Sequence, residues 1–168
     1  SFAAHLTDWR VLTTIVFLVG VTVRVLASLR LAGMGEDIVF TNSDDASQYD
    51  HNARGILEGS GVLTEVGMPG TSSYSPGYSL FLAALYGLTG RNLTAVMTVQ
   101  AVLSAFVPVG VFLVGRRCAG RLVGFVAAML AALSQLLIFN SVNLTREMGS
   151  ILLLLPLVWM LQRTPPDT

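Results

Sequence analysis

Residues 43–78 read SDDASQYDHNARGILEGSGVLTEVGMPGTSSYSPGY and form a polar stretch between long apolar runs. Seven of the ten acidic residues of the chain lie in and around it, between Glu36 and Glu65. Charged side chains are costly inside a membrane span, so this stretch is interpreted as a loop between spans. A membrane protein that gathers its carboxylates in one such loop commonly places its chemistry or a binding surface there.

The composition indicates an integral membrane protein. The 168 residues are 53% hydrophobic and 12% charged, with a mean hydropathy of +0.68. Soluble domains carry about 25% charged residues, so we expect membrane lipid around this chain. The formal net charge is zero, which predicts no nucleic-acid partner. The single cysteine, Cys118, excludes an internal disulfide.

The apolar runs predict the membrane spans, because a spanning helix needs about 20 mostly apolar residues. The first run is too long for the core of a signal peptide and is interpreted as a retained span. We predict an all-α integral membrane protein in which residues 1–168 form a single membrane module. Its four transmembrane helices are expected at about residues 9–32, 93–114, 122–139 and 148–161.

Two interfacial helices are predicted in the first extracytoplasmic loop, residues 34–92. Ser43 fits a helix N-cap, since the two aspartates after it lie where the helix dipole favours negative charge. Apolar residues then recur at helical spacing until Gly59 ends the helix. Pro76 is a favourable first residue for the second helix. Both helices are too short to span and are expected to lie along the membrane interface.

The arginines predict the orientation of the chain. In a four-span arrangement, several of them fall on one side of the membrane: Arg10, Arg116, Arg117, Arg121 and Arg163. The positive-inside rule then places both termini in the cytoplasm. Loop 34–92 and the turn at residues 140–147 face the opposite side together.

Three carboxylates are the candidates for chemistry, because the topology brings Glu147 to the same membrane face as Asp44 and Asp45. Together they could hold a divalent metal ion, or one of them could act as a general base. The alternative is that the two aspartates only cap a helix and Glu147 pairs with Arg146. No cofactor follows with certainty, and a divalent metal ion stays open.

Four other polar residues are also candidates. Arg24, within the first span, either extends its head group to the interface or contacts an anionic phosphate. Tyr49 and Tyr78 are expected to anchor at the interface, although either hydroxyl could contact a sugar. His51 lies off the apolar stripe and is interpreted as a solvated histidine.

Three motifs, in order, resemble the first extracytoplasmic loop of the GT-C glycosyltransferases, in the branch of protein mannosyltransferase and aminoarabinose transferase type. They are DASQY at 45–49, ARGILEGSG at 53–61 and SPGYSLFLAAL at 75–85. Further matches follow at VQAVL (99–103), GRR (115–117) and LTRE (144–147). The resemblance therefore covers most of the chain.

The resemblance implies transfer of a sugar, with inversion, from a polyprenyl-phosphate donor to an acceptor at the extracytoplasmic face. Asp45 would be the catalytic base and Glu147 a second acidic residue of the site. Asp44 stands where the family commonly has Gly. With the residues discussed above, the expected substrate-binding set is Arg24, Asp44, Tyr49 and Tyr78.

Members of that family are longer and have more spans, so we expect this chain to be the N-terminal module of such an enzyme. The expected location is the bacterial inner membrane. The alternative is a catalytically silent fragment that serves as an accessory subunit, with other membrane subunits as partners. A small transporter or channel module is disfavoured, because the spans lack paired charges.

Overall fold

The computed structural model describes residues 8–41, 44–61 and 76–144, together with residues 150, 154, 156, 158 and 160. All regular secondary structure in these ranges is helical, as the sequence predicted. The helices are α1 Trp9–Gly33, α2 Glu36–Thr41, α3 Asp44–Leu57, α4 Pro76–Thr89, α5 Leu93–Ser104, α6 Phe106–Ala119, α7 Arg121–Leu133 and α8 Gln135–Val142.

Two helical stretches of the described chain are long and apolar enough to cross a membrane, Trp9–Gly33 and Leu93–Ala119. They correspond to the first two predicted spans. The second was predicted as one continuous helix and is instead interrupted at Ala105, between α5 and α6. Pro108 explains the position of the interruption, because proline lacks an amide donor and is tolerated in the first turn of a helix such as α6.

The third predicted span, 122–139, is divided into two helices. α7 and α8 meet at Ser134, which has an extended backbone, and their axes differ by 52°. The pair counts as a third span only if it crosses the membrane as one bent unit. Most of the fourth predicted span, 148–161, lies outside the described residues, so the four-span arrangement stays a prediction.

Glycines let α6 and α7 approach each other closely. A Cβ atom added at Gly115 would lie 2.9 Å from the Cα of Gly124, and one added at Gly124 would lie 2.5 Å from the backbone nitrogen of Arg116. Real Cβ atoms essentially never come this close to backbone. Only glycine therefore fits at the α6–α7 crossing, and Phe112 and Ala128 pack in the core beside it.

The described part of the polar loop forms three helices, of which α2 was not predicted. α3 and α4 appear where the sequence placed them: Gly59 follows α3 with φ +78°, and α4 begins at Pro76. Both helices pack in one core cluster with α5. The described part of the loop is thus a compact helical layer that packs against the amino-terminal end of α5. Its position along the membrane interface stays a prediction.

Candidate functional site

Asp45 lies in the first turn of α3 and is half-buried. In the described part of the chain, no basic side chain forms an ion pair with it. The helix begins one residue earlier, at Asp44, whose side chain the structure does not describe. An aspartate at this position benefits from the helix dipole.

Tyr49 follows Asp45 by one helical turn and is fully buried. Its ring meets that of Tyr78 edge-on, with centroids 4.8 Å apart and an interplanar angle of 78°. The expectation that Tyr49 is a surface anchor was therefore wrong: it packs inside the α3–α4 core because its neighbours Ala46 and Ala53 leave room for a large ring. Its predicted contact with substrate stays a prediction.

A polar chain continues from Tyr78 to α5 and to the residue directly after α8. The Tyr78 hydroxyl donates to Oε1 of Gln100 on α5 at 2.6 Å. Gln100 Nε2 in turn donates to the backbone carbonyl of Asn143, directly after α8. Gln100 is 4% exposed and Asn143 is fully buried. The chain of contacts thus runs from α4 to the turn that precedes Glu147, a residue that lies outside the described part.

A second polar cluster surrounds Asp50, which the sequence analysis did not single out. Asp50 is 3% exposed and accepts hydrogen bonds from Tyr86 Oη at 2.6 Å and Arg91 Nε at 3.0 Å. Arg54 lies 3.3 Å from its other oxygen, and Arg91 also pairs with Glu36 at 3.0 Å. This Asp50 cluster joins α2, α3, α4 and the turn before α5. The spacing of Asp50 and Arg54, one helical turn apart, was the available sequence signal.

The surroundings of Tyr86 and Arg91 in the Asp50 cluster favour the protonated form of both side chains. Burial, with a smaller contribution from the hydrogen bond to Asp50, raises the pKa of Tyr86 well above its usual range. The hydrogen bond to Asp50 raises the pKa of Arg91, against a smaller opposing effect of burial. The carboxylate of Asp50 is occupied by these donors, so its role is to hold the loop helices together.

A cavity of about 220 Å³ adjoins this cluster, between the end of α1, α2 and the start of α5. Its polar lining comes from Glu36, Arg91, Asn92 and Thr94. The predicted site residues Asp45, Tyr49 and Tyr78 do not line it. The cavity is therefore separate from the Tyr78–Gln100–Asn143 chain.

Arg24 is fully buried in the helix bundle. Its Nη1 atom donates to the carbonyls of Ala132 at 3.0 Å and Gly20 at 3.3 Å, and Nη2 donates to that of Ala131 at 3.4 Å. The guanidinium thus lies at the carboxyl end of α7, where the helix dipole favours a cation. Arg24 is enclosed by the described helices and is not exposed at their surface. Its predicted contact with phosphate stays a prediction.

His51 is half-buried, and its Nε2 atom is inaccessible to solvent and has no hydrogen-bond partner among the described residues. The side chain is thus partly solvated, where the sequence predicted a solvated histidine. Among the residues whose side chains are described, no group of three His, Cys, Asp or Glu residues is arranged to hold a metal ion. Glu147 and the Asp44 side chain fall outside that search.

Comparison with known proteins identifies the family. The sequence model of the dolichyl-phosphate-mannose-protein mannosyltransferase family matches residues 73–165, more than half of the chain. The match includes Tyr78, Gln100 and position 147, whereas Asp45 precedes it. Comparisons with curated proteins and with solved structures gave no match. The resemblance to the GT-C glycosyltransferases is confirmed, and the chain belongs to the dolichyl-phosphate-mannose-protein mannosyltransferase family.

Proposed function

We propose that this chain is part of an inverting glycosyltransferase that moves a sugar from a polyprenyl-phosphate donor to an acceptor at the extracytoplasmic membrane face. Family membership supports a lipid-linked sugar donor and a membrane setting. The outward faces of the helices are apolar, with Leu18 57% exposed on α1 and Leu130 69% exposed on α7. Such faces suit lipid, because burying them in hydrocarbon is favourable.

The observation that carries the proposal is the setting of Asp45. It is half-buried and has no described basic partner, at the start of a helix whose next turn packs Tyr49 against Tyr78. Tyr78 is linked through Gln100 to the turn before Glu147. This arrangement supports a site in which both carboxylates serve one reaction.

In the proposed reaction, Asp45 accepts the proton of the acceptor hydroxyl as that oxygen attacks the anomeric carbon. The bond from that carbon to the phosphate oxygen breaks on the opposite face, and polyprenyl phosphate leaves with the electron pair. Positioned general bases of this kind contribute about 10²–10⁴-fold to rate. Glu147 is proposed as the second acidic residue of the site.

We also propose substrate contacts for the remaining predicted site residues. Tyr49, Tyr78 and Asp44 are assigned to the sugar side of the site. Of the Arg24 donors, Nε lacks a protein partner in the described part of the chain. A contact between Arg24 and the donor phosphate would use this atom.

We propose that the polar loop lies outside the cytoplasm and that both termini lie inside it. The basis is the positive-inside rule, applied to Arg116, Arg117 and Arg121 at the α6–α7 turn. Placement in a bacterial inner membrane is part of the same proposal.

The proposal is tested with the purified native protein that contains this chain. It is offered labelled polyprenyl-phosphate sugars and, in parallel, nucleotide sugars. We expect transfer from the polyprenyl-phosphate donors alone, with the anomeric configuration inverted in the product. Transfer from nucleotide sugars, or retention of configuration, would contradict the proposal. Absence of any transfer would favour the accessory-subunit alternative.

A further inference from the structure

We infer that Gln100 is a positioning residue, which fixes the helix pair α3–α4 relative to the segment that begins at Asn143, directly after α8. The inference rests on the proposed function for its catalytic consequence, but its structural part does not. It goes beyond the predicted site, which does not include Gln100.

The two ends of the Gln100 side chain bind different parts of the molecule. Its Oε1 atom accepts from the Tyr78 hydroxyl on α4, and its Nε2 atom donates to the carbonyl of Asn143. Tyr78 and Gln100 are 22 positions apart in the chain, and Gln100 and Asn143 are 43 apart. One amide group therefore ties together three segments that are distant in sequence.

Burial makes these two bonds selective for one arrangement. Gln100 is 4% exposed, and water has little access to replace either partner. A buried polar group left unsatisfied costs free energy, so displacing either Tyr78 or Asn143 is unfavourable. The apolar core supports the same arrangement, since Leu144 next to Asn143 packs in the core cluster that contains Tyr49.

Each partner of Gln100 leads to one proposed catalytic carboxylate. On one side, Tyr78 contacts the ring of Tyr49, which lies one helical turn after Asp45. On the other side, Asn143 precedes Glu147 by four residues. Loss of the link should therefore alter the position of α3, which carries Asp45, relative to Asn143 after α8.

The first test measures geometry and needs no turnover. Spin labels are placed with Leu80→Cys on α4 and Leu136→Cys on α8, both on exposed positions, in a Cys118→Ser background of the native protein in lipid nanodiscs. The distance distribution is compared with and without Gln100→Met, which keeps the shape of the side chain and removes both polar ends. We expect Gln100→Met to broaden or shift the distribution.

The matched control is Ser104→Ala. Ser104 lies on the same helix and is fully buried, but its hydroxyl donates within that helix, to the carbonyl of Ala101. We expect this variant to leave the distance distribution unchanged. If Gln100→Met also leaves it unchanged, Gln100 does not fix the two parts relative to each other and the inference is overturned.

The second test separates positioning from donor binding. Misplaced reacting groups reduce the turnover of bound substrate, so we expect Gln100→Met to lower kcat at least about tenfold, the effect of one lost buried hydrogen bond. KM for the donor should change less than about twofold, because ground-state binding is retained. A native kcat in Gln100→Met would overturn the catalytic part of the inference, whatever the distance measurement shows.

The third test uses Gln100→Glu as a conservative rescue. In its protonated form the introduced carboxyl group can accept from Tyr78 and donate to the Asn143 carbonyl, as the amide does. When ionised it loses that donor. The activity of this variant relative to the native protein should therefore fall as pH rises, whereas Gln100→Met should be equally impaired at every pH.

A relative activity of Gln100→Glu that is independent of pH would contradict the hydrogen-bonding role. If the native protein shows no transfer at all, the proposed function fails, and the distance measurement alone then decides whether Gln100 is the link. The two failures are thus distinguishable.

Discussion

Asp45 and Asp50 lie on the same helix and have opposite surroundings. Asp50 is buried and accepts from Tyr86 and Arg91. Asp45 is half-buried and pairs with no basic side chain that the structure describes. A carboxylate whose oxygens accept several hydrogen bonds in the core stabilises the fold, so Asp50 has an anchoring role. The proposed chemistry of Asp45 stays a prediction.

Substitution of the tyrosine that contacts Asp50, Tyr86→Phe, should destabilise the loop helices. It removes the hydroxyl that donates to the Asp50 carboxylate and keeps the ring in the core. Hydrogen bonds to charged groups contribute about 1.5–3 kcal/mol, so thermal unfolding of the native protein in detergent should begin at a lower temperature. Helix content at low temperature should be unchanged.

The same pair predicts how stability depends on pH. Because the pKa of Tyr86 is raised in the folded state, the folded protein holds this proton more tightly than the unfolded chain. The corresponding stability is complete below the ordinary tyrosine pKa of about 10 and falls as pH rises above it. Tyr86→Phe should therefore show a weaker loss of stability in alkali than the native protein, and an equal loss would contradict the Asp50–Tyr86 assignment.

At this scale the sequence predicted a role for Asp45, which stays a prediction, and did not point to Asp50. Asp45 stands in a recognisable motif at a helix start. Asp50 gains its role from Tyr86 and Arg91, which lie 36 and 41 positions away. A local sequence pattern does not predict partners at such distances. The burial of Tyr49 was missed for the same reason, since the ring of Tyr78 and α4 cover it.

At the scale of elements, the apolar runs predicted helices well and their interruptions poorly. The ends of α1, α3 and α4 follow from local signals such as Gly59 and Pro76. The bend between α7 and α8 has no proline, and it coincides with hydrogen bonds from Arg24 to the last carbonyls of α7. Those bonds depend on the packing of α1 against α7, which the sequence of either helix alone does not reveal.

The α6–α7 crossing gives a prediction for Gly124→Ala. A methyl group there would lie 2.5 Å from backbone of α6, with no flexible side chain to move aside. Overpacking of this kind typically costs about 1–3 kcal/mol, so the unfolding temperature in detergent should fall. Gly33→Ala is the control, because nothing lies within 4 Å of its added Cβ. Equal stability of the two variants would show that the helices are not in close contact.

At the scale of the whole molecule, the candidate site combines segments distant in the chain. α3 and α4 supply Asp45 and Tyr78, α5 supplies Gln100, and the segment after α8 carries Asn143. The sequence predicted that the polar loop and the turn at 140–147 lie on the same side of the membrane. The link through Gln100 was not predictable, because a lone glutamine in an apolar helix does not indicate its partners.

The measurement that tests the central claim most directly is the transfer rate of Asp45→Asn in the native protein, with a polyprenyl-phosphate sugar as donor. Glu58→Gln, which changes an exposed carboxylate just after the same helix, is the control. We expect Asp45→Asn to reduce turnover by about 10²–10⁴-fold with unchanged folding, and Glu58→Gln to retain activity. Turnover of Asp45→Asn at the native rate would contradict the assignment of Asp45 as the base.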